Sequence, residues 1–141
     1  MSAAAIELGF VVLRPLCEGR RYDLVIDLDP TLLRVQCKLA AYRNGAVVVG
    51  LQTNRLTPAG YVQTTYSTDE VDAVAAFCPR LHRCFMIPIA DAAGRRALHL
   101  RVDPARNRQH RGIRWASSYT FAEVARRLGA VAPGPRVAAA S

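Results

Sequence analysis

A single α/β domain, a mixed β-sheet flanked by a short N-terminal helix and a C-terminal helix, is what this sequence predicts, and three observations predict it. Two alternating apolar runs surround an Asp29-Pro30 turn between Arg21 and Lys38, the pattern of a β-hairpin. An apolar run over residues 73–78 is followed, across a turn at 79–83, by a second over 84–89, which reads as a buried strand pair. Residues 120–128 carry a full set of helix signals: Thr120 at the start, Glu123 in the first turn, Arg126 and Arg127 at the end, then Gly129.

Taken in order, the Ala-rich residues 1–8 predict a short helix stopped by Gly9, and residues 10–13 a strand. Residues 14–20, with Pro15 and Gly19, are a loop into the hairpin. Its second strand runs over 32–42, and Asn44-Gly45 signals a type I′ turn before a strand at 46–51, so three strands form an antiparallel meander. Residues 52–67 are polar, with Pro58 and Gly60, and are expected to be a surface loop, either a plain connection or a segment lying along a polyanion backbone. Of the acids that follow, Asp72 is expected to hydrogen-bond at the entrance of the 73–78 strand, with Asp69 and Glu70 facing water. A turn at 91–94 and a short outer strand at 97–102 come next, then an exposed loop to Arg114 that Trp115 anchors to the core. The domain is expected to occupy residues 1–129, and the Ala, Pro and Gly-rich residues 130–141 to be a disordered tail.

The hairpin sorts its side chains by period two. With the turn centred on Asp29-Pro30, Val25 falls opposite Arg34, Asp27 opposite Leu32 and Asp23 opposite Gln36. Tyr22, Leu24, Ile26, Leu28, Leu33, Val35, Cys37 and Leu39 then share a face that seeks a core. The opposite face gathers Asp23, Arg34, Gln36 and Lys38. Two readings stand for it: the solvated polar face of any half-buried hairpin, or a carboxylate, amide and amine placed to hold a divalent metal. Composition bears on the choice. Of nineteen basic residues eighteen are Arg, and the one Lys is Lys38, a compact charge suited to a place beside a metal-activated water.

At these residues the sequence resembles a known family. Asp23 followed after a turn by Gln36-Cys37-Lys38 is similar to the PD-(D/E)XK nuclease signature in its Gln-x-Lys form. The strings around residues 21–27 and 32–38, Glu70-Val71-Asp72-Ala73 with Phe77-Cys78-Pro79, Ile87-Pro88-Ile89, and 107–115 resemble the branch that holds group I intron homing endonucleases. The likeness covers about residues 6–120. It implies a restriction-endonuclease-like core and Mg²⁺-dependent hydrolysis of double-stranded DNA. Asp23, Gln36 and Lys38 would be catalytic, and Asp23, Gln36 and the Cys37 backbone oxygen would hold the metal. Family members ordinarily open with a longer helix bearing an acid directed at the metal; here Glu7 is the candidate, beside Gly9. A catalytically silent DNA-binding module is the alternative.

The net charge of +8 is unevenly placed. Residues 1–94 hold nine basic and nine acidic side chains, whereas residues 95–141 hold ten Arg against Asp103 and Glu123. Such a one-sided basic region is the electrostatic footprint of a polyanion binder. Arg106, Arg108, Arg111 and Arg114, together with Arg34 on the hairpin, are the candidate DNA contacts. So small a subunit offers a limited footprint, so a homo-oligomer is expected. No apolar run approaches the roughly 18 residues that span a bilayer, and residues 1–6 lack the pattern of a signal peptide, so a cytoplasmic protein without a membrane partner is expected. The four cysteines do not follow zinc-ligand spacing; Cys78, His82 and Cys84 are three potential ligands without a fourth.

Overall fold

A computed structural model of the chain describes residues 1–104 and 111–129. A short helix α1 (Ser2–Glu7) leads through Gly9, at φ +83°, into the edge strand β1 (Val11–Leu13). The expected hairpin follows as β2 (Leu24–Asp27) and β3 (Leu32–Arg43), with Val25 opposite Arg34 and Asp27 opposite Leu32. Asn44 and Gly45, both at positive φ, turn the chain into β4 (Ala46–Gly50). Strands β5 (Gln52–Thr57) and β6 (Gly60–Thr65) form a separate two-stranded sheet. The buried pair is β7 (Ala73–Cys78) and β8 (Arg83–Pro88), followed by the short helix α2 (Ile89–Ala92), the outer strand β9 (Ala97–Arg101) and the helix α3 (Phe121–Arg127).

The main sheet has seven strands. β1, β2, β3, β4 and β9 are joined by antiparallel pairing, and β7 lies parallel to β3 with β8 antiparallel beyond it. The parallel step between β3 and β7 makes the sheet mixed, as expected. β7 reads Ala-Val-Ala-Ala-Phe-Cys because it is covered on both faces, where alternation has no use. Val74 faces the same side of the sheet as Phe85 and Ile87, and Ile26, Val35 and Met86 face the other; in this core each fully buried large side chain contributes about 1.5–3 kcal/mol. Helix α3 buries Phe121, Val124 and Ala125, and Thr120 caps it by accepting the Glu123 N–H at 3.3 Å.

β3 is the axis of the fold because it exchanges partners along its length. Residues 32–35 pair with β2, residues 35–39 with β7, and residues 40–43 with β4. The face it buries changes too. Leu33 and Val35 are buried on one side; beyond Lys38 it is Ala40, aligned with Val49 and Leu98, that is buried on the other. Leu39, expected in the core, is therefore 73% exposed. Alternation continues, but the covering layer has moved to the opposite face.

Residues 52–67 depart from the expected loop. Thr-rich segments pair as β5 and β6 around Pro58-Ala59, with Thr57 opposite Gly60. Both faces are largely exposed, Leu56, Tyr61 and Val62 included, so no hydrophobic alternation marks them as strands. Among the described residues no helix is long and apolar enough to cross a membrane. The segment 130–141 and the basic residues Arg106 and Arg108 lie outside the described residues.

Candidate active site

The site forms where β3 has lost one antiparallel partner and not yet gained the next. β2 pairs up to Val35 and β4 begins at Ala40, so Gln36, Cys37 and Lys38 lie in a stretch that neither of these strands covers. The backbone of this stretch keeps its strand geometry. Arg34 turns its carbonyl to the β7 side, where it accepts the Asp72 N–H at 2.9 Å, and Val35 turns its carbonyl to the β2 side, where it accepts the Asp23 N–H at 2.9 Å. Cys37, two residues on, repeats Val35, and its N–H needs a partner that β2 no longer provides. The Asp23 carboxylate fills that place: its Oδ2 accepts the Cys37 N–H at 2.7 Å and the Gln36 side-chain Nε2 at 2.6 Å. The structure thus brings Asp23, Gln36 and the Cys37 backbone together.

The polarity of these contacts bears on metal binding. Gln36 presents its nitrogen to Asp23, leaving its amide oxygen turned away from that carboxylate oxygen. Among the described residues, neither Asp23 Oδ1 nor Gln36 Oε1 accepts a hydrogen bond. The Cys37 carbonyl shares the strand edge of its N–H, on the Asp23 side. An exposed carboxylate, an amide oxygen and a peptide oxygen are hard donors of the kind Mg²⁺ takes, so the residues present fit that ion. They supply one acid. Among the described residues no group of three or more His, Cys, Asp or Glu side chains is placed to hold a metal, and Cys78, His82 and Cys84 form none. Glu7 ends α1 and is exposed. The Cys37 thiol is pushed up to about 11 by burial first and by the Asp23 charge second, so the side chain is a neutral neighbour of the site.

Lys38 follows on the same face of β3 as Gln36. Its Nζ donates to the Gln52 carbonyl at 3.1 Å and stands 5.4 Å from the centroid of the Tyr66 ring. On the other flank of Asp23 an open hollow of about 480 Å³ is lined by Arg14, Cys17, Arg20 and Tyr22 among others. Both arginines and Asp23 line this same hollow. Sequence reading missed Arg14, Arg20, Gln52 and Tyr66. An aromatic residue in a polar segment was the available signal for Tyr66, yet Tyr61 shares that signal and is 81% exposed while Tyr66 is 6% exposed.

Arg34, expected among the DNA contacts, has most of its guanidinium donors engaged within the chain. Nε and Nη2 bond the two oxygens of Asp72 at 3.0 and 2.9 Å, Nη2 also donates to the carbonyl of Thr68, and Nη1 donates to that of Asp69. It ties the 68–72 turn to β3 beside the site. Glu70, expected to face water, is held by Arg21, with Nε 2.9 Å from Oε1 and Nη2 donating to Oε2 at 3.0 Å. That guanidinium holds the Glu70 carboxyl below the usual range.

Arg111 and Arg114 are not brought to the carboxylate. The Arg114 carbonyl accepts the Arg101 N–H at 2.7 Å, Arg101 lies opposite Ala46, and Ala46 lies opposite Arg43. From Gln36 to Arg43 is seven steps of β3, roughly 23 Å at 3.3 Å per residue. The described part of the basic segment therefore flanks the far end of the strand.

The chain matches the family model of the PD-(D/E)XK endonucleases over residues 1–122. Among solved structures it is similar to a bacterial homing endonuclease, I-Ssp6803I, with 25% sequence identity and a TM-score of 0.69, over 92% of this chain and 88% of that one. A search of curated proteins gave no match.

Proposed function

Because the chain belongs to the PD-(D/E)XK endonuclease family, we propose that it hydrolyses phosphodiester bonds of double-stranded DNA in a Mg²⁺-dependent reaction of the homing-endonuclease type. One observation carries this reading: the Asp23 carboxylate, the Gln36 amide and the Cys37 backbone converge on the stretch of β3 between the ends of β2 and β4, with the only Lys of the sequence next along it. Asp23, Gln36 and the Cys37 carbonyl are the groups that would hold Mg²⁺, which supplies positive charge against the phosphate oxygens.

The chain's own residues divide the remaining work. Asp23 orients the Gln36 amide and fixes the Cys37 backbone, so that both carbonyl oxygens are held before substrate arrives. Lys38 has three N–H donors and gives one to Gln52, leaving two for the attacking water and a phosphate oxygen. Water adds to phosphorus as the bond to the leaving sugar oxygen breaks; the proton it loses passes to bulk water, the leaving oxygen takes one up from bulk water, and the ammonium offsets the charge that accumulates on the phosphoryl oxygens. Arg14 and Arg20 in the adjoining hollow are suited to neighbouring phosphates, and Arg111 and Arg114 to a duplex running along the sheet. A specific site of useful length calls for more than one subunit, so the active form is a homo-oligomer.

Incubating plasmid DNA with Mg²⁺ tests this. The wild type is expected to cut, while Asp23→Ala and Lys38→Ala lose on the order of 10³-fold in rate and keep DNA binding. Loss of binding in both variants, or undiminished cutting by either, overturns these roles. A second reading, a DNA-binding module with a silent nuclease site, is favoured by the single acid at the site. Wild-type protein that binds plasmid tightly and leaves it intact in Mg²⁺ would establish it.

A further inference from the structure

Lys38 is held by the two ends of a single excursion of the chain. The β5–β6 hairpin opens at Gln52 and closes at Thr65, and these residues face each other across its ladder. The Lys38 ammonium donates to the carbonyl of Gln52, the first residue of the excursion, and lies against the ring of Tyr66, the residue just past its end. The same ring carries a second cation: the Arg21 guanidinium carbon is 5.2 Å from its centroid. Arg21 is braced in turn by Glu70 and donates to Thr64 Oγ1 at 3.4 Å. A cation within about 6 Å of an aromatic centroid is attracted to the ring face, more strongly where water is displaced, and this ring is almost wholly buried. A lysine amine otherwise wanders on a four-carbon stem. Here a carbonyl and a ring, both rooted at the hairpin base, restrict it.

We propose that the base of the β5–β6 hairpin positions Lys38, with Tyr66 as a positioning residue for DNA cleavage. The inference rests on the reading of Lys38 as part of the cleavage machinery, and it adds the element that aims the amine. The ring acts through its face, so the Tyr66 hydroxyl is dispensable and the aromatic ring is not.

The sequence makes a direct test available. Lysine labelled with ¹³C at its ε carbon gives one resonance, because Lys38 is the only lysine. In the folded wild type that resonance is expected upfield of its position in urea-unfolded chain, through the ring current of Tyr66. Tyr66→Phe keeps the displacement and the cleavage rate. Tyr66→Leu returns the resonance toward the unfolded position and slows cleavage tenfold to a hundredfold, on the order expected for a misplaced group, with DNA affinity unchanged. A resonance that is undisplaced in the folded wild type overturns the proposal without recourse to any variant, and so does wild-type cleavage by a folded Tyr66→Leu protein. Wild-type protein that cuts no DNA would remove the nuclease reading and with it a role in cleavage, while the resonance still decides whether the ring holds the amine.

Discussion

Replacing Asp72 by Asn isolates the contact that locks the central parallel strands together beside the site. Asp72 accepts the Arg34 backbone N–H at 2.7 Å and two guanidinium donors at 3.0 and 2.9 Å, while its own N–H bonds the Arg34 carbonyl. Burial pushes this carboxyl up, but the Arg34 side-chain and backbone hydrogen bonds outweigh it and hold the group below the usual carboxylate range. Asn keeps the shape, removes the charge and turns an amide nitrogen toward Arg34. Hydrogen bonds to charged groups contribute about 1.5–3 kcal/mol each and exposed ion pairs about 0–1. The two side chains are 35% and 30% exposed, so solvent screening brings the expected loss down to about 2 kcal/mol for the whole contact. For a chain of this length that corresponds to roughly 6–10 °C in Tm. The pH dependence has a fixed sign. A carboxyl depressed in the folded state contributes fully above its unfolded value of about 3.9 and loses that contribution as pH falls through the folded value. Urea unfolding should therefore show a constant gap between wild type and Asp72→Asn from pH 5 to 8 that begins to narrow below about pH 4. A gap under about 0.5 kcal/mol at pH 7, or one that does not narrow at all between pH 5 and pH 3, would refute the assignment.

Two further outcomes are expected. At pH 7 the exposed Cys17 should be the thiol that reacts quickly with a maleimide in native protein, because burial and the Asp23 charge push Cys37 up to about 11 and Cys78 is buried; labelling of Cys37 as fast as Cys17, read by peptide mass, would contradict the packing around the site. DNA affinity should fall linearly with salt on logarithmic axes, and Arg111→Ala and Arg114→Ala should each reduce the slope by about 1. An unchanged slope in both variants would remove these residues from the interface.

The hairpin was legible because two independent constraints agreed. Period-two alternation named the faces and the Asp29-Pro30 turn fixed the register, and together they aligned Val25 with Arg34 as found. The buried pair β7 and β8 and the punctuation of α3 were legible for similar reasons, being local and strong. Leu39 was not. Its exposure follows from the change of covering layer along β3, a tertiary event that leaves no mark in the strand's own pattern. The β5–β6 ladder escaped because a strand with two wet faces shows no alternation, and the same polarity hid Tyr66. Arg34 was placed on the correct face, yet its partner Asp72 lies 38 residues away, beyond anything that hairpin periodicity reports. Charge pairing at that range is set by the crossover that brings β7 beside β3.

The partner exchange along β3 divides the molecule into a part whose length is frozen and a part whose length is free. Between Asp23 and Lys38 every step inverts the direction of a side chain, so one residue gained or lost there carries the carboxylate to the far side of the sheet while leaving a foldable strand. Outward of Gln52 and Thr65 the rungs bear almost no weight in the core, and the arm can gain or lose them in opposed pairs without disturbing either of its roots. Descendants of this chain can thus remodel the arm while the cluster of Asp23, Gln36 and Lys38 stays unaltered.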